Sequence, residues 1–214
     1  LLAEWVWDTL QAGKLTRSVR HTANGDYVNA VKGYDDAGQP TGVRTVVPAS
    51  EGKLAGTYNT GTSFTRTGQQ SMVHPAYGGG LPDEILNTTF DGLGKPRTLR
   101  GDFDYVSDTT YTPFGEPYQV ALSSSNNAAT LSYEYDPQTH RLTGQNLSAT
   151  KPDPMVDDQH YTYDPMGNPT KTVETRGTGG PTRTQCYQYD ALYRLSQAWT
   201  ATDNCAKSPS SANG

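Results

Sequence analysis

The sequence predicts an all-β fold made of tandem antiparallel β-hairpins, and two observations support that prediction. An aromatic residue followed by a tight-turn signal recurs eight times along the 214 residues, at an average spacing of 26 residues. Tyr alone occurs 14 times, although only 33% of the residues are apolar and the mean hydropathy is −0.72. Regularly spaced aromatics in a polar chain indicate a repeat architecture rather than disorder.

The repeated motif reads Tyr-x-Tyr-Asp-x-x-Gly in its best copies, and its Asp position marks each repeat. The three closest copies contain Tyr133, Tyr135 and Asp136; Tyr161, Tyr163, Asp164 and Gly167; and Tyr187, Tyr189 and Asp190. Three looser copies contain Trp5, Trp7 and Asp8; Tyr34, Asp35 and Gly38; and Phe90, Asp91 and Gly94. Two further copies carry Thr65 and Thr112 at the Asp position.

Each motif predicts one hairpin with its aromatics on one face. Rings at i and i+2 share a face of a strand. The next four residues fit a type I turn, which favours Asp first, Pro second and Gly fourth, as in the run from Asp164 to Gly167. Thr139 and Tyr193 replace the Gly in their copies, where a left-handed conformation costs about 1–2 kcal/mol. We therefore expect those two turns to deviate.

The hairpins are expected to form one continuous array over residues 1–205, with 206–214 as a flexible tail or a truncated next repeat. An isolated hairpin is marginal in water, so each must borrow its neighbours' surfaces. Burying an aromatic side chain contributes about 1.5–3 kcal/mol, and two per repeat can hold a stacked sheet without a conventional core. The Gly- and Pro-rich residues 74–83 are predicted to be a loop.

Charge and composition exclude several functions. The net charge is −5 with no basic cluster, which argues against nucleic acid as a partner. The sequence contains no apolar stretch of about 18 residues, so it predicts no membrane span. Cys186 and Cys205 are predicted to pair in an exported protein, whereas in a cytosolic protein they would stay as two thiols.

The motif and its spacing resemble the YD repeat of the Rhs family. That family includes bacterial Rhs and wall-associated polymorphic toxins, the BC subunits of insecticidal toxin complexes, and the teneurins. The resemblance implies hairpins that spiral into a hollow shell, secreted or at the cell surface, which encloses a toxin or forms an adhesive ectodomain. It implies two partners: the remaining repeats of the same polypeptide and an enclosed toxin domain.

The most direct functional interpretation is a structural section of such a shell's wall. A module that binds cell-surface carbohydrate through the repeated aromatics is the alternative, and a glycosidase-like enzyme is a distant third. The sequence predicts no catalytic residue, no metal site and no cofactor. Asp164-Pro165-Met166-Gly167 matches a motif of the self-cleaving Rhs segment, but an aspartyl mechanism needs two coupled carboxylates and no second such motif follows. We therefore assign Asp164 to turn capping.

Overall fold

The predicted all-β hairpin fold is confirmed. The computed structural model describes residues 2–123, 128–150 and 154–212. It contains sixteen antiparallel strands whose order in the sheet follows their order along the chain. The chain divides into two compact units, Leu1–Tyr105 and Val106–Gly214.

The first unit is built from four hairpins. Its strands are β1 (Ala3–Trp7), β2 (Leu15–Thr22), β3 (Gly25–Tyr34), β4 (Pro40–Val47), β5 (Gly56–Phe64), β6 (Gln70–Tyr77), β7 (Leu86–Phe90) and β8 (Pro96–Arg100). A 3₁₀ helix over Ala49–Leu54 connects β4 to β5 and bends at Gly52, whose φ is 59°. This helix is not predicted from the sequence.

The second unit repeats the same plan. Its strands are β9 (Asp104–Tyr111, whose first two residues belong to the first unit), β10 (Pro117–Leu122), β11 (Ala129–Tyr135), β12 (Leu142–Ala149), β13 (Met155–Tyr163), β14 (Pro169–Arg176), β15 (Thr182–Tyr189) and β16 (Leu195–Ala201). The eight motif markers, from Asp8 to Asp190, lie in the turns that join each odd-numbered strand to the next even-numbered one. Several even strands begin at Pro, which is tolerated at a strand's first residue because no ladder bond needs its N–H there.

The sheet has very little core. Within the described ranges, only Val19, Cys186 and Ala201 are buried hydrophobic residues. Large apolar side chains such as Trp5, at 61% exposure, and Phe114, at 74%, remain in contact with water. The fold therefore depends on cross-strand pairs and backbone ladders, which are the units of stabilisation in a sheet.

The predicted loop over residues 74–83 is wrong at its start. Strand β6 continues to Tyr77, and His74 and Tyr77 pair with Gly61 and Asn59 of β5. The register shifts between those two pairs, so that Pro75 lies in a bulge. A bulge tolerates Pro because the ladder is already interrupted there, and the composition of the segment alone does not reveal this.

Close strand packing at Gly42 gives a test of the fold. Gly42 is buried in β4, and an added Cβ would overlap the carbonyl oxygen of Thr60 on β5. We expect Gly42→Ala to lower the free energy of unfolding by about 1–3 kcal/mol, as overpacking does. Gly92→Ala is the control, because a Cβ there would meet no atom within 4 Å. Urea unfolding of both variants checks this; equal losses would contradict the assigned β4–β5 contact.

Candidate functional site

The marker side chains hold the repeated turns closed. Asp35 accepts backbone N–H bonds on Oδ1 from Ala37 at 3.0 Å and Gln39 at 2.8 Å. Asp91 and Asp190 bond their own turns at the same two positions. The Thr markers also accept an N–H bond, on their hydroxyl oxygen, as Thr65 does from Gln69 at 3.1 Å. Thr can therefore replace Asp in this role because both provide an oxygen acceptor to a local N–H.

Hydrogen bonds of this kind lower the pKa of four of the repeat carboxylates. The pKa of Asp91 is lowered chiefly by the Lys95 N–H, and that of Asp136 by the Thr139 N–H. The pKa of Asp164 is lowered chiefly by the Asn168 side chain, and that of Asp190 by the Arg194 side chain. A general acid needs a raised pKa, so this environment suits turn capping rather than proton donation.

Two turns are longer than the rest. The Asp8 turn closes through a bond from its N–H to the Lys14 carbonyl, two residues later than in the Asp35 turn, and Asp8 itself has a φ of 67°. The Asp136 turn is one residue longer and places His140 at a φ of 56°. Thr139 instead bonds the Asp136 carboxylate through both its N–H and its hydroxyl. The predicted deviation at Thr139 is therefore found.

The predicted deviation at Tyr193 is wrong. Tyr193 adopts a φ of 59° and donates its N–H to the Asp190 carbonyl at 2.9 Å, as Gly does in the ordinary turns. The next residue, Arg194, forms an ion pair with the Asp190 carboxylate at 2.7 Å. These contacts hold the turn in its usual form even though a side chain occupies the left-handed position.

The second tyrosine of the motif connects successive hairpins. Its hydroxyl donates to the backbone carbonyl of the first residue of the preceding even strand. Four such bonds run from Tyr34 to Leu15 (2.6 Å), Tyr135 to Pro117 (2.9 Å), Tyr163 to Leu142 (2.7 Å) and Tyr189 to Pro169 (2.9 Å). We call these four bonds the tyrosine clamps. Phe64 and Phe90 occupy the same motif position without a hydroxyl.

The sequence predicts that these rings pack, but it does not predict the clamps. The preference for Tyr over Phe at the second motif position indicates that a hydroxyl is needed there. Only the three-dimensional structure shows which carbonyl accepts its hydrogen bond. Some adjacent turns are also connected by the side chain that follows one of them. Arg141 donates to the carbonyls of Asp164 at 3.0 Å and Pro165 at 3.3 Å, and Glu116 pairs with His140 at 3.0 Å.

The other predicted site residues have distinct positions. Tyr161 and Tyr187 donate to the Gln159 and Gln185 side chains, two residues earlier on the same strand face. Trp5 and Trp7 are exposed at the sheet edge, at 61% and 52%.

The two cysteines are bonded in the structure, with Cα atoms 5.7 Å apart. Cys186 is 1% exposed, and the bond holds the segment after β16 against β15. Asn204, beside Cys205, accepts a hydrogen bond from Lys171 at 3.3 Å. The disulfide therefore closes the chain over the last two hairpins.

The four histidines each lie beside a carboxylate. His21 contacts Asp26 at 3.0 Å, and His160 contacts Asp158 at 3.1 Å on the strand face that they share. In the part of the chain that the structure describes, no group of three or more His, Cys, Asp or Glu is arranged to hold a metal ion. Among the described residues there is likewise no helix of the length and apolarity that crossing a membrane requires.

Known proteins share this architecture. No protein-family model matches the chain. It superposes on TcdB2-TccC3-Cdc42 with a TM-score of 0.71 at 18% identity, and on TcdB2-TccC3 with a TM-score of 0.70 at 17% identity. The Photorhabdus luminescens Tc holotoxin pore, with a substitution in TccC3, gives a TM-score of 0.68 at 19% identity. Each match covers 92% of this chain.

This chain has the fold of the matched part of these toxin-complex chains. The resemblance to toxin-complex chains that the repeats predict is confirmed. This chain spans only about a tenth of the matched chains, 10% of the first and 11% of the second.

Removal of one clamp hydroxyl should weaken the array. Tyr163→Phe deletes the donor to the Leu142 carbonyl while keeping the ring, and we expect the free energy of unfolding to fall by about 0.5–1.5 kcal/mol. Tyr193→Phe is the matched control, because its hydroxyl makes no hydrogen bond with another described residue. Chemical denaturation measures both. A loss for Tyr193→Phe as large as for Tyr163→Phe would contradict the role of the clamp.

The capped carboxylates predict acid sensitivity. Because their pKa values are lowered on folding, the unfolded chain binds protons first as the pH falls, and stability declines from about pH 5 downwards. Asp164→Asn keeps an acceptor oxygen but cannot titrate, so it should lower Tm at pH 7 and lower it by less near pH 2. Asp164→Ala should lower Tm further at pH 7. A difference between Asp164→Asn and the parent that stays constant with pH would contradict this account.

Proposed function

We propose that this chain is a structural section of a shell wall, built from hairpins that continue in a longer secreted or cell-surface polypeptide. The tyrosine clamps are the observation that carries the proposal. In each clamp the hydroxyl of the motif's second tyrosine bonds the preceding hairpin and is not available to a ligand. A residue pattern that serves hairpin-to-hairpin connection is what a repeat array needs, because each repeat contacts only its neighbours.

The open edges of the sheet support the same role. Strands β1 and β16 are the first and last strands of the order that the structure describes, so each has one neighbouring strand. An exposed edge presents unpaired N–H and C=O groups to any further strand. Further repeats of the same polypeptide are the partners that we propose for both edges.

A toxin or effector domain is the proposed content of the shell. The support is the fold likeness to TcdB2-TccC3 and to the Tc holotoxin pore. The proposed secreted or cell-surface location agrees with the bonded pair Cys186 and Cys205, because disulfides persist in oxidising compartments.

A structural role accounts for the repeat carboxylates better than catalysis does. Asp164 accepts a hydrogen bond on Oδ1 from the backbone N–H of Asn168 at 2.9 Å and one on Oδ2 from the Asn168 side-chain amide at 2.8 Å, so both of its oxygens have a donor. The carbohydrate alternative would use the repeated aromatics. Among the aromatics of the motif itself, Trp5 and Trp7 are the most exposed, at 61% and 52%.

Edge pairing provides the test. We expect the chain to self-associate as its concentration rises, with β1 of one copy beside β16 of the next, and analytical ultracentrifugation measures this. Trp5→Lys and Ala198→Lys place charges at exposed positions of the two edge strands and should shift the chain to monomer. Gln188→Lys adds the same charge at an exposed position of β15, which has strands on both sides, and should leave association unchanged. A parent that stays monomeric up to its solubility limit would contradict the proposed edge pairing.

A further inference from the structure

A cavity of about 520 Å³ lies between the turns marked by Thr112 and Asp136. Its lining includes Phe114, Tyr118 and Tyr133. Tyr118 and Tyr133 lie on the neighbouring strands β10 and β11, each one residue beyond the paired residues Gln119 and Ser132. The cavity therefore has aromatic side chains from two strands and one turn.

The hydroxyl groups in this cavity differ from those elsewhere in the array. Tyr161 and Tyr187 line a second cavity, and both of their hydroxyls donate to a Gln side chain two residues earlier, at 2.7 and 2.8 Å. Tyr133 has Leu131 at that position, and Leu cannot accept a hydrogen bond. Among the described residues, neither Tyr133 nor Tyr118 gives its hydroxyl to a protein partner. Two phenol groups beside one cavity are thus left to bond a ligand.

The rim of the cavity provides a stacking surface and a further polar group. Phe114 is 74% exposed and Tyr118 is 52% exposed. The ring centroids of Phe114 and His140 are 4.1 Å apart, with 59° between the ring planes. Nδ1 of His140 contacts the Glu116 carboxylate at 3.0 Å, and Nε2 has no partner among the described residues. The imidazole is thereby held in place with one nitrogen available.

We propose that this cavity binds a pyranose ring of a neutral or cationic glycan. The exposed aromatic faces stack on the apolar face of the sugar ring, while the two phenol hydroxyls and Nε2 of His140 exchange hydrogen bonds with the sugar hydroxyls. A mainly aromatic cleft with a few convergent polar groups is a typical small-ligand site. Glu116 and Asp136 line the cavity and disfavour an acidic sugar. The site goes beyond the shell proposal, because a wall section needs no ligand.

Three probes test the ligand class. The neutral tetramer of N-acetylglucosamine, the cationic tetramer of glucosamine and acidic sialyllactose are titrated into the whole chain, followed by saturation-transfer and chemical-shift NMR. We expect at least one of the two tetramers to bind and sialyllactose not to. Absence of binding by both tetramers at millimolar concentration, or binding of sialyllactose in preference to them, overturns the proposal.

Matched variants test the location. Tyr118→Phe and Tyr133→Phe remove only the unpaired hydroxyls, and each should weaken binding by about 2- to 10-fold. Phe114→Ala removes the exposed ring and should weaken binding by about 10-fold. Tyr161→Phe and Tyr187→Phe are the controls and should leave affinity unchanged, because those hydroxyls are already bonded within the fold. Circular dichroism and melting confirm that each variant is folded.

Two results would place the sugar elsewhere. Unchanged affinity in both the Tyr118→Phe and Tyr133→Phe variants overturns the cavity assignment, as does an equal loss in the Tyr161→Phe control. The shell proposal is tested separately by association at the sheet edges. Binding should therefore persist in the Ala198→Lys variant, whose substitution lies on β16 and away from the cavity-lining strands.

Discussion

The hydrogen bond from a tyrosine hydroxyl to the preceding hairpin is the interaction on which this array depends. A hairpin alone is marginal in water, and this sheet buries too few apolar side chains to compensate with a core. Each clamp adds a bond worth about 0.5–1.5 kcal/mol and brings an aromatic ring against the neighbouring hairpin. Small contributions of this kind, repeated at several junctions, stabilise a repeat protein by nearest-neighbour contacts.

The adjacent Tyr and Asp of the motif act on different hairpins, and this couples the copies. Asp136 closes a turn, and the closure fixes where β12 begins at Leu142. The Leu142 carbonyl then accepts the hydroxyl of Tyr163 from the next repeat. Each Asp therefore positions the acceptor that the following Tyr uses. The pairing explains why the two residues occur together in the motif.

The sequence predicts the parts of this fold that local chemistry determines. Turn residues and the i, i+2 aromatics predict eight hairpins, and the structure contains them. The clamp acceptors lie about 20 residues before their tyrosines and need the register of two strands, which no local pattern contains. The strand through Pro75 depends on a bulge opposite β5. Tyr193 keeps a glycine-like turn because Asp190 and Arg194 hold both of its sides.

Departures from the repeat carry information that the repeat itself cannot. Most copies form their hairpin with the same residue types, so a change in a single copy that the fold does not need is a candidate for function. Two such changes lie at the cavity between the turns marked by Thr112 and Asp136. The Asp136 turn contains the extra residue that places His140 there, and Leu131 stands where the copies of Tyr161 and Tyr187 have Gln. Together they leave polar groups without partners beside exposed rings. A site assembled from two neighbouring departures is a stronger candidate than any aromatic that follows the motif.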